Sequence, residues 1–155
     1  MPICNRHTLG KIGELIALKY LGGELSDDSY DSDKDLVLPD GSTAEVKTQT
    51  RFRKVDAFTA DVNRTTNITK CMTVDKLFFV EFDYTDVIRL WDCVDRTYFL
   101  TKTKYGLEMA CWPVQKMHLI HSFTNPILAY EMRKLSNSDL YDHNKPLKNH
   151  EKNSF

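Results

Sequence analysis

Asp35 and the run Glu45-Val46-Lys47 are the residues of this chain whose types and spacing can do chemistry. Between them lie Leu36-Val37-Leu38, the turn residues Pro39-Asp40-Gly41, and Ser42-Thr43-Ala44, which together read as a β-hairpin. A three-residue hairpin loop ends in a left-handed residue, and Gly41 takes that conformation without a Cβ clash. The resulting register sets Leu38 opposite Ser42, Val37 opposite Thr43, Leu36 opposite Ala44 and Asp35 opposite Glu45, with Lys47 pointing the same way. Like charges facing each other across a strand pair cost up to ~1 kcal/mol, and a cation between them reverses the sign. Two carboxylates, the Val46 carbonyl and several retained waters form a donor set that suits Mg²⁺, with Mn²⁺ as a substitute. A metal beside a lysine supplies what phosphodiester hydrolysis needs: a nucleophile made from water, and relief of the negative charge that builds up in the transition state.

The elements that would hold this hairpin follow from periodicity. Leu9, Ile12, Leu15, Ile16 and Leu18 recur at helical spacing over residues 5–21, and Gly22-Gly23 ends the helix. Residues 24–31 are a short edge strand or a connection, and residues 51–61 either continue the sheet or form an excursion. Ile68, Cys71 and Met72 mark a short helix after Asn63. The apolar run Leu77-Phe78-Phe79-Val80-Glu81-Phe82 is a central strand covered on both faces. Val87–Trp91, Thr97–Leu100 and Met117–Ile120 are further strands. Asn125-Pro126 caps and opens a last helix carrying Ile127, Leu128, Met132 and Leu135. Residues 1–135 are therefore expected to form one α/β domain, a mixed central sheet flanked by helices, with the polar residues 136–155 as a mobile tail.

Asp35 followed by Glu45-Val46-Lys47 resembles the signature of the PD-(D/E)XK nuclease superfamily, the restriction-endonuclease-like fold. The resemblance covers about residues 9–82. Lys34 stands where the family name has proline, and Pro39-Asp40 falls in the turn. The family usually carries a glutamate on the helix before the hairpin, and Glu14 within Gly13-Glu14-Leu15 matches it. What the resemblance implies is a Mg²⁺-dependent DNA endonuclease. Asp35, Glu45 and the Val46 carbonyl would be its ligands, Lys47 the contact to water or phosphate, and Glu14 would join the metal site through a water. A restriction or homing enzyme, a Holliday-junction resolvase and a repair nickase all fit this description, as does an inactive nucleic-acid-binding module of the same fold.

Other residues extend or limit this reading. Glu14 has Gly10, Gly13, Ala17, Leu18 and Leu21 as its helical neighbours, a small apolar face on which a carboxylate needs a partner. Gln49 follows Lys47 on the same strand face and is a candidate contact to the nucleophile or to DNA. Arg51, Arg53, Lys54, Asn63, Arg64 and Lys70 cluster after the active strand and are candidate DNA-phosphate contacts. His118 and His121, three apart on a strand, are expected on opposite faces and make no metal pair. The 21 basic and 22 acidic residues give a net charge of −1, so any basic surface is local. Cys4, Cys71, Cys93 and Cys111 lie singly, without metal-site spacing, and read as reduced thiols. No secretory leader or membrane-length apolar run is seen, and an intracellular, cytoplasmic protein is expected, in the host cytoplasm or nucleoid if phage-encoded. Nothing calls for an organic cofactor. A chain of 155 residues embraces both strands of a duplex only as a homodimer.

Overall fold

The computed structural model describes residues 5–26, 35–50, 56–62 and 65–144. Helix α1 (Asn5–Leu21) is followed by the short strand β1 (Glu24–Leu25) and then by the hairpin, β2 (Leu36–Val37) and β3 (Thr43–Thr50). Strand β4 (Ala57–Asp61) and helix α2 (Thr65–Thr73) lead to β5 (Lys76–Phe82). The second half holds β6 (Val87–Asp92), β7 (Phe99–Lys102), β8 (Glu108–Pro113), a 3-10 turn at Val114–Lys116, β9 (His118–Thr124) and helix α3 (Pro126–Asn144).

The strands form two sheets. Six make a mixed sheet in the order β1-β2-β3-β5-β6-β9, and three make a smaller one in the order β4-β8-β7. In the larger sheet β3 and β5 run parallel. A parallel neighbour cannot be reached by a tight turn, and the chain from β3 to β5 crosses over through β4 and α2. Strand β5 has partners on both sides and is buried from Leu77 to Phe82, as its continuous apolar run requires.

Alternation along the strands divides the core in two. Ala44, Val46, Phe78, Val80, Phe82, Ile88 and Leu90 face Ile16 and Ala17 of α1 and Met132 of α3. On the other face Leu77 and Phe79 pack with Phe58, Ala110 and Trp112 of the smaller sheet and with Cys71 of α2. Phe58 stacks on Phe79 at 4.4 Å between ring centroids. The result is three layers, with helices on one side of the large sheet and the small sheet plus α2 on the other. Glu45, Lys47 and Gln49 alternate with Ala44 and Val46 and therefore lie on the α2 side.

Several expectations are corrected. Residues 57–61 do not continue the large sheet, because they pair with β8 in the small one. Strand β8 is absent from the sequence reading; Glu-Met-Ala-Cys-Trp-Pro has neither β-branched residues nor strict alternation, and its burial comes from the sheet it meets. Helix α3 opens as expected, with Asn125 Oδ1 accepting from the Leu128 N–H at 3.0 Å. It then runs to Asn144, and no Gly or Pro interrupts the sequence before Pro146. His118 and His121 pair with Asp92 and Leu90, two positions on one face of β6, because a bulge beside Leu90 and Trp91 offsets their odd spacing. Residues 145–155 lie outside the described part. Among the described residues no helix is long and apolar enough to cross a membrane.

Candidate active site

The site begins with the hairpin. Gly41 has φ +87°, its N–H donates to the Leu38 carbonyl at 2.9 Å, and the Leu38 N–H donates to the Ser42 carbonyl at 2.8 Å. Leu36 then faces Ala44 and Val37 faces Thr43. Asp75, just before β5, accepts from the Thr43 N–H at 2.8 Å and fixes where β3 begins.

Asp35 immediately precedes β2. The Asp35 N–H donates to the Ala44 carbonyl at 2.8 Å, and its carboxylate Oδ2 accepts from the Val46 N–H at 2.9 Å. A side-chain oxygen thus takes a β3 backbone N–H beyond the last paired residues of β2 and β3. The carbonyl of Val46 leaves β3 on the same side as its N–H, because an extended residue presents both groups to one neighbour.

The Glu45 side chain is 2% exposed. Its Oε2 meets Lys47 Nζ at 3.1 Å, and its Oε1 lies 3.9 Å from Lys70 Nζ, too far for a hydrogen bond. Oε1 is buried and has no hydrogen-bond partner. Burial first and the charge of Asp35 second push the Glu45 carboxyl up to about 7, against the pull of Lys47 and Lys70. Glu14 also sits above the usual carboxylate range, through burial and then Asp35, with Lys11 and Lys70 opposing. The charge of Asp35 therefore acts on two acids carried by different layers, Glu45 on the α2 side of β3 and Glu14 on α1.

The close approach of α1 depends on Gly13. A Cβ there would lie 1.7 Å from Thr48 Oγ1 and 2.8 Å from Thr48 Cβ, so any other residue would push α1, and with it Glu14, off β3. Helix α2 is held from its other end. The Arg96 guanidinium donates to the carbonyls of Cys71, Val74 and Asp75 at and beyond the helix C-terminus, and the Arg96 carbonyl accepts from Trp112 Nε1 at 3.1 Å.

Asp35, the Val46 backbone, Glu45 and Lys47 are brought together, and Glu14 on α1 lies within electrostatic reach of Asp35. Gln49 is turned to another task, its Oε1 accepting from the Thr59 N–H at 3.0 Å and tying β3 to β4. Lys70, expected as a surface phosphate contact, is a half-buried member of the acid pocket. Arg51, Arg53, Lys54, Asn63 and Arg64 lie outside the described residues. Sequence reasoning missed Lys11, 3.8 Å from Glu14, and Arg96. The i,i+3 spacing of Lys11 and Glu14 was a usable signal; nothing local marks Arg96.

A divalent cation fits these residues. A buried carboxylate oxygen without a hydrogen bond, near a second carboxylate and a strand carbonyl, is a donor set that lacks an acceptor of its electrons. Among the described residues no three His, Cys, Asp or Glu side chains converge on one point. Mg²⁺ does not require three, since it keeps several waters and takes one or two carboxylates. No family model and no curated protein sequence matches the chain.

Proposed function

We propose that the chain is a Mg²⁺-dependent DNA endonuclease with a PD-(D/E)XK-type site. The observation that carries this reading is Glu45: a carboxylate buried beside a second one, with one oxygen bound to Lys47 and the other left without a hydrogen bond. Such a group costs stability and is kept where it has a ligand to hold. Asp35, Glu45 and the Val46 carbonyl would hold the cation, which supplies Lewis-acid stabilisation of the phosphoryl charge. Lys47 carries its ammonium next to that charge and can hold the attacking water by hydrogen bonding. Glu14 orients water from the α1 side and takes up its proton, a task suited to a carboxyl held above its usual range. Asp35 keeps Val46 in place through its N–H, and its other oxygen would serve the cation.

The test is incubation with supercoiled plasmid and with a synthetic four-way junction, in Mg²⁺ and in EDTA. Nicking or linearisation in Mg²⁺ alone supports the reading, and preference for the junction assigns a resolvase. Cleavage of both strands at matched positions calls for a homodimer, which sedimentation velocity checks. No cutting of either substrate with Mg²⁺ or Mn²⁺ overturns it. A second reading, an inactive nucleic-acid-binding module, is favoured by the two lysines that already balance Glu45. It requires that the protein bind DNA without taking up Mn²⁺.

A further inference from the structure

Lys70 is the residue of the pocket whose position its sequence context least explains. It reaches toward Glu45 from α2, and its charge acts on both Glu45 and Glu14. Its contact with Glu45 Oε1 is loose at 3.9 Å, and its side chain is 32% exposed, so one end of its range is the pocket and the other is solvent. Lys47 is bound more closely, at 3.1 Å, to the other oxygen. The oxygen near Lys70 is thus the one available to a cation, and a cation there would stand within a few ångströms of the ammonium. A divalent cation there repels the ammonium, and no hydrogen bond to Oε1 holds Lys70 against that repulsion.

We infer that Lys70 and a divalent cation are alternative partners of Glu45 Oε1, so that cation binding turns the Lys70 ammonium outward onto a DNA phosphate. The inference rests on the metal-dependent nuclease reading and adds a coupling to it. With the pocket empty of metal, Lys70 neutralises Glu45 and is withheld from the polyanion. With metal bound, the same charge becomes a phosphate contact. Metal and DNA then strengthen each other's binding by one common factor, as linkage requires. Arg96 is the positioning residue of this device, since it fixes the end of α2 that carries Lys70.

The experiment uses the full chain at pH 8.5, with a fluorescent duplex and Ca²⁺, the duplex being checked for integrity afterwards. DNA affinity is followed by anisotropy against salt concentration, and cation affinity without DNA by Mn²⁺ titration. For Lys70→Met the salt slope in Ca²⁺ should fall by about one relative to wild type, and by less in EDTA. Mn²⁺ affinity in the absence of DNA should rise by on the order of tenfold as the competing charge is removed. Lys70→Arg should restore the slope in Ca²⁺. Equal falls of slope in Ca²⁺ and EDTA would make Lys70 an ordinary phosphate contact and overturn the inference, as would an unchanged or weaker Mn²⁺ affinity. A wild type that binds Mn²⁺ and nicks plasmid while Lys70→Met gives those results leaves the nuclease reading standing. A wild type that binds no Mn²⁺ overturns both.

Discussion

Asp35 Oδ2 accepts a hydrogen bond from the backbone N–H of Val46 at 2.9 Å, so a candidate metal ligand also serves as the last rung of the β2–β3 ladder. The two duties separate by substitution. Asp35→Asn keeps a side-chain oxygen for Val46 and removes the charge, whereas Asp35→Ala removes both. Cleavage should fall by at least about 100-fold in each. Urea denaturation in EDTA should show Asp35→Ala about 1 kcal/mol less stable than Asp35→Asn. Equal stability of the two would deny the backbone role.

The Glu45 carboxyl, pushed up to about 7, gives stability a definite pH dependence. The folded state holds the proton that the unfolded chain releases near 4.5, so stability declines as pH rises from about 4.5 to about 7 and levels off above that. The decline amounts to roughly 2 to 3 kcal/mol from this group, and Glu14 adds to it in the same direction. Urea midpoints in EDTA between pH 5 and pH 8 measure it. Glu45→Gln should remove most of the slope, and Mg²⁺ at pH 8 should recover stability in wild type but not in this variant.

Gly13→Ala places a methyl 1.7 Å from Thr48 Oγ1. The overpacking should cost about 1 to 3 kcal/mol and move Glu14. Adding Thr48→Ala should recover only part of that, because the contact with residue 48's Cβ, at 2.8 Å, remains. Thermal denaturation of the two variants checks both statements, and full recovery in the double variant would show that the helix has room to shift.

Arg96→Ala leaves three carbonyls at the end of α2 without their guanidinium donor. About 2 kcal/mol of stability should be lost. Hydrogen exchange should quicken in α2 more than in β5, whose amides are held by two neighbouring strands. Uniform quickening would mean that Arg96 supports the whole fold rather than the helix.

Cys71, Cys93 and Cys111 are buried free thiols, and burial pushes Cys71 up to about 11 and Cys93 to about 12. In a Cys4→Ser background the native protein at pH 8 should react with an aromatic disulfide reagent only at the rate of unfolding, and the denatured protein at once.

The hairpin was legible in the sequence because its determinants are local: one glycine for the left-handed position, and a period of two that carries the register from Gly41 back to Asp35. The burial of the Leu77–Phe82 strand and the cap at Asn125 were legible for the same reason. What was hidden depends on contacts between distant segments. The role of Lys70 is set by where α2 docks, and the docking is set by Arg96, which no spacing relates to it. Gln49 has the alternation of a site residue, yet its amide is claimed by β4. The two histidines were assigned to opposite faces by a rule that holds only for an unbroken strand, and a bulge lies between them.

Every side chain of the proposed chemistry comes from the stretch between Glu14 and Lys70, while β6 to α3 contribute packing. The chemistry is therefore inherited as one contiguous block. A chimera that keeps residues 5–82 and grafts them onto another layered scaffold should retain the pocket if the new partner covers both faces of β5. It must also bring a strand to pair with β4 in place of β8 and an arginine to the end of α2, because both reach back into the block from outside it.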